Sequence, residues 1–315
     1  MLPRNLSLLL LATLSACGRD SSGPSIKPLA ARLDLGARHG CLTTTASLVC
    51  WGQGTEGQLG IGPISGDTTP VTLPSSVSLV SIAAGATHTC GLDESGAAWC
   101  WGSDTYGELG SDAVDTSCGG IACVGTPVRA ATGLTFTSLA AGVSFTCGLT
   151  ANGTVYCWGL NDTGQLGTSN DVTCGGIRCS PAPALAAGGA KFGAIAAGQQ
   201  HVCALRTDGQ AACWGYDGLL EDGRHINAQF LPEVRARTGP PPLVRISAGG
   251  YHTCAATEQG DAWCWGIDAL GAGASVLESV RPIRVTGGHH FTSIAAARFT
   301  VCGLDSNGTA WCWGP

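Results

Sequence analysis

The chain has 315 residues, a net charge of −6, 12% charged residues and 48 glycines. Charge at about half and glycine at roughly double the usual share argue against solvated helical faces and for short strands joined by tight turns. Two lysines, Lys27 and Lys191, among 16 basic residues leave too little positive charge to neutralise a phosphate backbone, so no nucleic-acid partner is expected.

At the N-terminus, Arg4 precedes an apolar run to Leu14, too short to cross a bilayer as a mature helix. The tetrapeptide Leu14-Ser15-Ala16-Cys17 that follows resembles the lipobox of bacterial lipoproteins. The resemblance implies a signal peptide over residues 1–16 and lipidation of Cys17, with two or three acyl chains giving stable anchoring. Gly18 rather than Asp after the lipid cysteine implies the outer membrane or cell surface over the inner membrane, where the cell has both. An ordinary secretory peptide ending beside a cysteine is the alternative. Residues 17–32, small, polar and Pro-bearing, read as a flexible tether.

From residue 33 to 315 one unit recurs six times. Trp-Gly stands at Trp51, Trp101, Trp158, Trp214, Trp265 and Trp313, at steps of 50, 57, 56, 51 and 48. Each Trp follows a cysteine, and a second cysteine lies upstream: Cys41 and Cys50, Cys90 and Cys100, Cys147 and Cys157, Cys203 and Cys213, Cys254 and Cys264, Cys302 and Cys312. In the second copy, a type I turn over Asp93–Gly96 with Gly96 left-handed makes a three-residue hairpin loop. That register sets Cys90 opposite Cys100, and Gly153, Gly209, Gly260 and Gly308 repeat it. The first copy has lost one turn residue together with the glycine, and a two-residue loop over Thr45-Ala46 again sets Cys41 opposite Cys50. Loop length and cysteine spacing change together, which is a requirement of cross-strand disulfides. Four cysteines remain as Cys118-Gly-Gly-Ile-Ala-Cys123 and Cys174-Gly-Gly-Ile-Arg-Cys179; bridges Cys118–Cys123 and Cys174–Cys179 would close small rim loops. An even remainder suits an oxidising compartment. The alternative is a four-cysteine zinc site between neighbouring units.

After Trp-Gly come Gly57-Gln-Leu-Gly60, Gly107-Glu-Leu-Gly110 and Gly164-Gln-Leu-Gly167, then a proline-led segment such as Pro70-Val71 or Pro127-Val128, then an apolar strand such as Leu79–Ala84. Four short strands per fifty residues is the content of a propeller blade. The expected fold is all-β, a β-propeller of four-stranded blades over residues 33–315. This pattern of Gly, His-Thr, Trp-Gly, Gly-Gln-Leu-Gly and Pro resembles the regulator of chromosome condensation repeat family. The resemblance implies a propeller, usually of seven blades, with the cysteine-stapled form looking like a bacterial exported branch. Departures are Leu220-Glu-Asp-Gly223 in the fourth unit, the shortened Gly271-Ala-Gly273 in the fifth, and a sixth unit that stops at Pro315. The ring is therefore either six-bladed or an incomplete seven-bladed one, the latter favoured.

The family's founding member exchanges nucleotide on a nuclear GTPase and binds chromatin; nothing in this acidic chain carries over those roles. His39, His88, His201 and His252 each stand two before a hairpin cysteine and read as structural residues hydrogen-bonded within their blades rather than as metal ligands. Asp93, Glu94, Asp261 and Asp305 fall at turns, where carboxylates are expected without catalysis. No nucleophile motif, phosphate loop or cofactor motif is present, so no enzyme, metal or cofactor is expected. The function expected is a monomeric binding scaffold for a protein or glycan at the cell envelope, membrane-bound through its lipid alone. Its binding rim would comprise loops 111–126 and 168–182 with Ile121, Ile177 and Arg178, and exposed Tyr106 and Tyr216. Alternatives are an inhibitor of a secreted or periplasmic enzyme, since the propeller inhibitors of β-lactamases share the superfamily, and an envelope hydrolase or lyase.

Overall fold

The computed structural model describes residues 32–44, 47–62, 67–73, 77–111, 116–169, 172–216, 235–237, 239–268, 270–273 and 278–314. The expected signal peptide, Cys17, the expected tether up to residue 31, Thr45-Ala46, Leu220–Gly223 and Pro315 lie outside them, while Arg32, the last tether residue, opens the first strand. The described chain is all-β apart from one 3-10 turn at Ala187–Gly189. It forms six antiparallel sheets, one per repeat, arranged as the blades of a propeller.

Each blade runs outward from its innermost strand. Blade two begins at Leu79–Ala84, continues through His88–Asp93 and Ala98–Ser103, and ends in Ile121–Arg129 with a short added strand, Thr116–Cys118. Blade three repeats this with Ser138–Ala141 innermost and Val172–Cys174 added. Blades one, four and five have four strands, and blade six has three. Innermost strands pack blade against blade from one to two through five to six. Among the described residues no packing of that extent joins blade six to blade one.

The hairpins have the expected register. Asp93 N–H donates to Ala97 O at 3.1 Å and Gly96 N–H to Asp93 O at 2.9 Å, with Gly96 at φ +79°. Cys90 pairs directly with Cys100, and Cys41 with Cys50 despite the shorter loop. All eight expected disulfides are present: Cys41–Cys50, Cys90–Cys100, Cys118–Cys123, Cys147–Cys157, Cys174–Cys179, Cys203–Cys213, Cys254–Cys264 and Cys302–Cys312. Each hairpin bridge constrains a loop of about ten residues, worth roughly 3 kcal/mol in the chain-entropy model.

The Trp-Gly dipeptide has a structural cause. Pairing between third and outer strands slips at the Trp, as between Cys100 and Gly102 and between Cys157 and Gly159. This bulge needs a positive φ at the next residue, and Gly102 and Gly159 sit at +108° and +104°. The bulge turns the Trp side chain under the preceding blade. Trp101, Trp158 and Trp214 are fully buried there, each in a separate inter-blade core.

Candidate interaction face

In blades one, two, three and five the turn after the innermost strand and the loop after Trp-Gly emerge at the same end of the ring, as the antiparallel strand order requires. The innermost turns are tied to one another around the mouth of the channel: Ala86 N–H donates to Gly142 O at 3.2 Å, Val143 to Gln199 O at 3.0 Å and Gly250 to Arg298 O at 3.1 Å. A side chain would not fit at this seam. A Cβ on Gly36 would stand 2.1 Å from Gly85 O, and one on Gly249 2.2 Å from Ala297 O.

Two hairpins rise from this end on adjacent blades. Gly119-Gly120 and Gly175-Gly176 make their turns with positive φ throughout, as a tight primed turn requires, and Cys118–Cys123 and Cys174–Cys179 cross-link their flanks. Ile121 and Ile177 stand at the tips, 39% and 41% exposed, with Val172 at 59% beside the second. Each hairpin leans on the blade before it. Gly62 N–H donates to Gly125 O at 2.7 Å, and Cys174 Sγ lies 3.8 Å from the Tyr106 carbonyl oxygen.

Tyr106 and Tyr216, expected to be exposed, are half-buried. Tyr106 sits under the second hairpin, and Tyr216 packs edge-on against Tyr251 at 5.6 Å. Arg178 is half-buried, and its carbonyl accepts from Asn161 N–H at 2.8 Å. The face therefore brings Ile121, Ile177, Arg178 and Tyr106 onto neighbouring blades, with Tyr216 on the following one. Tyr251 and the exposed Phe299, 4.9 Å from the Arg298 guanidinium, belong to this end as well. Both sit in the turn two residues past the small residue of their repeat, a position that could have been read off the repeat alignment.

The four histidines are buried, and three of them bond across blades rather than within them. His39 Nε2 lies 2.8 Å from Thr89 Oγ1, His88 Nε2 2.9 Å from Thr146 Oγ1 and His201 Nε2 2.9 Å from Thr253 Oγ1. Thr89 and Thr146 spend their single hydroxyl proton on the carbonyls of Gln58 and Glu108, which also accept the Trp101 and Trp158 indole N–H. Each Thr oxygen must therefore accept from an Nε2–H, which fixes a neutral histidine in that tautomer. Burial agrees, holding His39 down at about 4 and His88, which also feels His39, at about 3. Where the following blade has Val202 instead of Thr, the preceding one has Phe145, and the two meet in one apolar core.

Glu108 occupies the seat of Gln58 and Gln165. It is buried, and its Oε2 accepts from Tyr106 N–H at 2.7 Å as Gln58 Oε1 accepts from Glu56 N–H at 2.9 Å. Burial pushes the Glu108 carboxyl up to about 8. At neutral pH it is a protonated acid standing in for an amide.

The turn carboxylates lie at the opposite end and are engaged locally. Asp93 accepts from Ser95 N–H and Oγ–H, Ala97 N–H, Trp99 Nε1–H and Arg129. Asp305 accepts from Asn307, Thr309 and Trp311, and Asp261 pairs with Arg284 at 2.7 Å. Among the described residues no three His, Cys, Asp or Glu side chains are placed to share a metal ion.

Family models for the regulator of chromosome condensation (RCC1) repeat match residues 79–108, 136–165, 194–224 and 243–271, and, for a second model of the repeat, 47–92 and 152–205. The chain is 31% identical over 238 residues to the mitochondrial RCC1 domain-containing protein RUG3 of Arabidopsis thaliana, covering 74% of this chain and 52% of that one. It is 29% identical over 245 residues to the ultraviolet-B receptor UVR8 of the same plant, covering 75% and 53%. It is also 30% identical over 244 residues to the secretion-regulating guanine nucleotide exchange factor of Bos taurus, covering 74% and 50%. The chain thus spans about half the length of these relatives. Among solved structures, human WBSCR16 superposes with a TM-score of 0.78 at 17% identity over 94% of this chain and 83% of that one. Yeast RCC1 (Prp20), solved bound to Kap60, gives 0.70 at 21% over 90% and 69%; at these identities both establish the fold. With its repeats matched in phase along most of the propeller, the chain belongs to the RCC1 repeat family.

Proposed function

We propose that this RCC1-type propeller is an exported, lipid-anchored scaffold that binds a protein partner at the cell envelope through the face bearing the two disulfide-closed hairpins. One observation carries the reading. Ile121 and Ile177 stand exposed at the tips of two hairpins of the same design on adjacent blades, and each hairpin is braced by a bridge of its own. Rigid loops that hold apolar side chains in water suit a pre-organised protein contact, because little entropy is lost on docking. The relatives include an exchange factor and a propeller solved with a protein partner, which supports protein over glycan. Eight disulfides in one chain support an oxidising compartment, and the Leu14–Cys17 tetrapeptide supports anchoring at Cys17.

Two experiments test this reading. An Ile121→Asp/Ile177→Asp variant should lose proteins that co-purify with the parent from envelope extract, while a Glu94→Ala variant on the opposite face should retain them. Equal recovery from both variants refutes the face assignment. Turnover in a panel of glycan and peptide hydrolysis assays, abolished by one carboxylate substitution, refutes the scaffold. Labelling with a radioactive fatty acid should be lost in Cys17→Ser; labelling that persists refutes the anchor.

A further inference from the structure

A cavity of about 350 Å³ lies between the Asp93–Gly96 turn of blade two and the segment that enters blade three, at the end of the ring away from the two rim hairpins. Phe136 forms part of its wall and is tied to the turn by its N–H, which donates to Gly96 O at 2.7 Å. Three polar side chains in the lining are unengaged. Among the described residues the Glu94 carboxylate and the Ser81 and Thr135 hydroxyls have no hydrogen-bond or ion-pair partner. Asp93 beside them already has its cation, Arg129 at 3.4 Å.

The matching place in blade five is filled by the chain itself. Ser81 stands opposite Leu92, two residues past the hairpin cysteine Cys90. Its counterpart in blade five is Arg245, opposite Ala256, and the Arg245 guanidinium donates to Thr257 O at 3.4 Å. Thr257 and Glu258 occupy the turn positions of Asp93 and Glu94. Blade five thus lays a guanidinium over its turn, whereas in blade two a serine ends short of it and the space stays open. Blades three and four have side chains as short, Ser138 and Ala194, but Ala151 and Thr207 stand where Glu94 does, so neither offers a carboxylate.

A carbonyl and a carboxylate only accept hydrogen bonds, and a planar guanidinium donates to both at once where an ammonium acts as a point charge. We propose that the blade-two cavity is a binding site for a small guanidinium compound about the size of free arginine, seated as Arg245 is seated in blade five. Its guanidinium donates to Asp93 O and to the Glu94 carboxylate. Its methylene stem lies along Val80, which is 46% exposed in the cavity wall. The Ser81 and Thr135 hydroxyls meet its remaining polar groups. The volume is near the lower end of small-molecule sites, roughly 300–1,000 Å³, as a ligand of amino-acid size requires. The site goes beyond the scaffold reading and does not depend on it.

The test is a saturation-transfer NMR titration of the intact, oxidised chain with arginine, lysine and citrulline, the last keeping the shape of arginine without its charge. Arginine should bind saturably, with lysine and citrulline at least about tenfold weaker. Ser81→Arg should abolish the binding without lowering the melting temperature, because the new side chain takes the seat. Glu94→Gln, a change at an exposed residue, should weaken arginine by about threefold or more. No saturable arginine binding, equal binding of lysine or citrulline, or binding that survives in a folded Ser81→Arg variant overturns the proposal. If Ser81→Arg fails to fold, Glu94→Gln decides, and an unchanged arginine affinity there overturns it.

Discussion

His252 is buried, 1% exposed, and neither of its ring nitrogens has a hydrogen-bond partner among the described residues. In three other blades the matching Nε2 meets a threonine of the following blade. The residue in that seat after His252 is Val301, fully buried. Burial holds the His252 ring down at about 4, with a smaller opposing effect from Asp268, so at neutral pH one nitrogen carries an unsatisfied N–H. Such a group costs about 1–3 kcal/mol. Val301→Thr supplies the missing acceptor in nearly the same volume. Its own hydroxyl proton then has Cys254 Sγ to turn toward, as Thr253 turns toward Cys203 Sγ. Allowing for the desolvated hydroxyl, the substitution should stabilise the protein by about 1 kcal/mol, against the usual sign for a polar group placed in a core. The mirror change, Thr146→Val, should destabilise by about 1–2 kcal/mol, because it strands His88 Nε2–H. His88→Phe combined with Thr146→Val should recover much of that loss, since Phe145 and Val202 already form this pair one blade on. Urea unfolding without reductant at pH 7.5 reads the parent, these three variants and His88→Phe alone. If Val301→Thr costs as much stability as Thr146→Val, or the double variant is no better than the sum of its parts, the inter-blade relay is not what holds these histidines.

Glu108→Gln should be more stable than the parent by about 3 kcal/mol at pH 7. Between about pH 4.5 and 8 the native acid keeps a proton that the unfolded chain loses, so the parent loses stability as pH rises through that window. The gap should close by pH 4.5, and a gap independent of pH refutes a protonated Glu108. In that variant, stability should fall as pH drops from 6.5 toward 4. His39, His88 and His252 stay neutral when folded while the unfolded chain takes up protons, at up to about 1.4 kcal/mol per pH unit for each ring. A flat urea midpoint over that range would contradict the assignment. Gly36→Ala should lower the melting temperature by several degrees, because its Cβ would press a backbone oxygen at 2.1 Å and force two blades apart at about 2 kcal/mol. An unchanged melt would mean that the seam yields.

The disulfide pairing was readable in the sequence because a hairpin register is a local property. The turn length over Asp93–Gly96 sets which residues face each other, and the nine-residue spacing of Cys41–Cys50 preserves the pairing when the loop shortens. The six repeats came through as six sheets for the same reason, since Trp-Gly recurs once per unit. The candidate face was legible only in part. The Cys-Gly-Gly-Ile motifs mark turns that must project, and so Ile121 and Ile177 were found. The coverage of Tyr106 and Tyr216 depends on contacts with Cys174 and Tyr251 that belong to other repeats.

Local spacing also identified His39, His88, His201 and His252 as structural, yet it misplaced their partners. Each bonded threonine lies 50 to 58 residues away, on the next sheet, and only the packing of blade on blade brings it within reach. The same packing decides which bridges are buried: the hairpin cysteines of blades one to five are each covered by the blade that follows. Strand register is written in the few residues around a turn, whereas burial is a relation between faces, and each face here is completed by the neighbouring repeat.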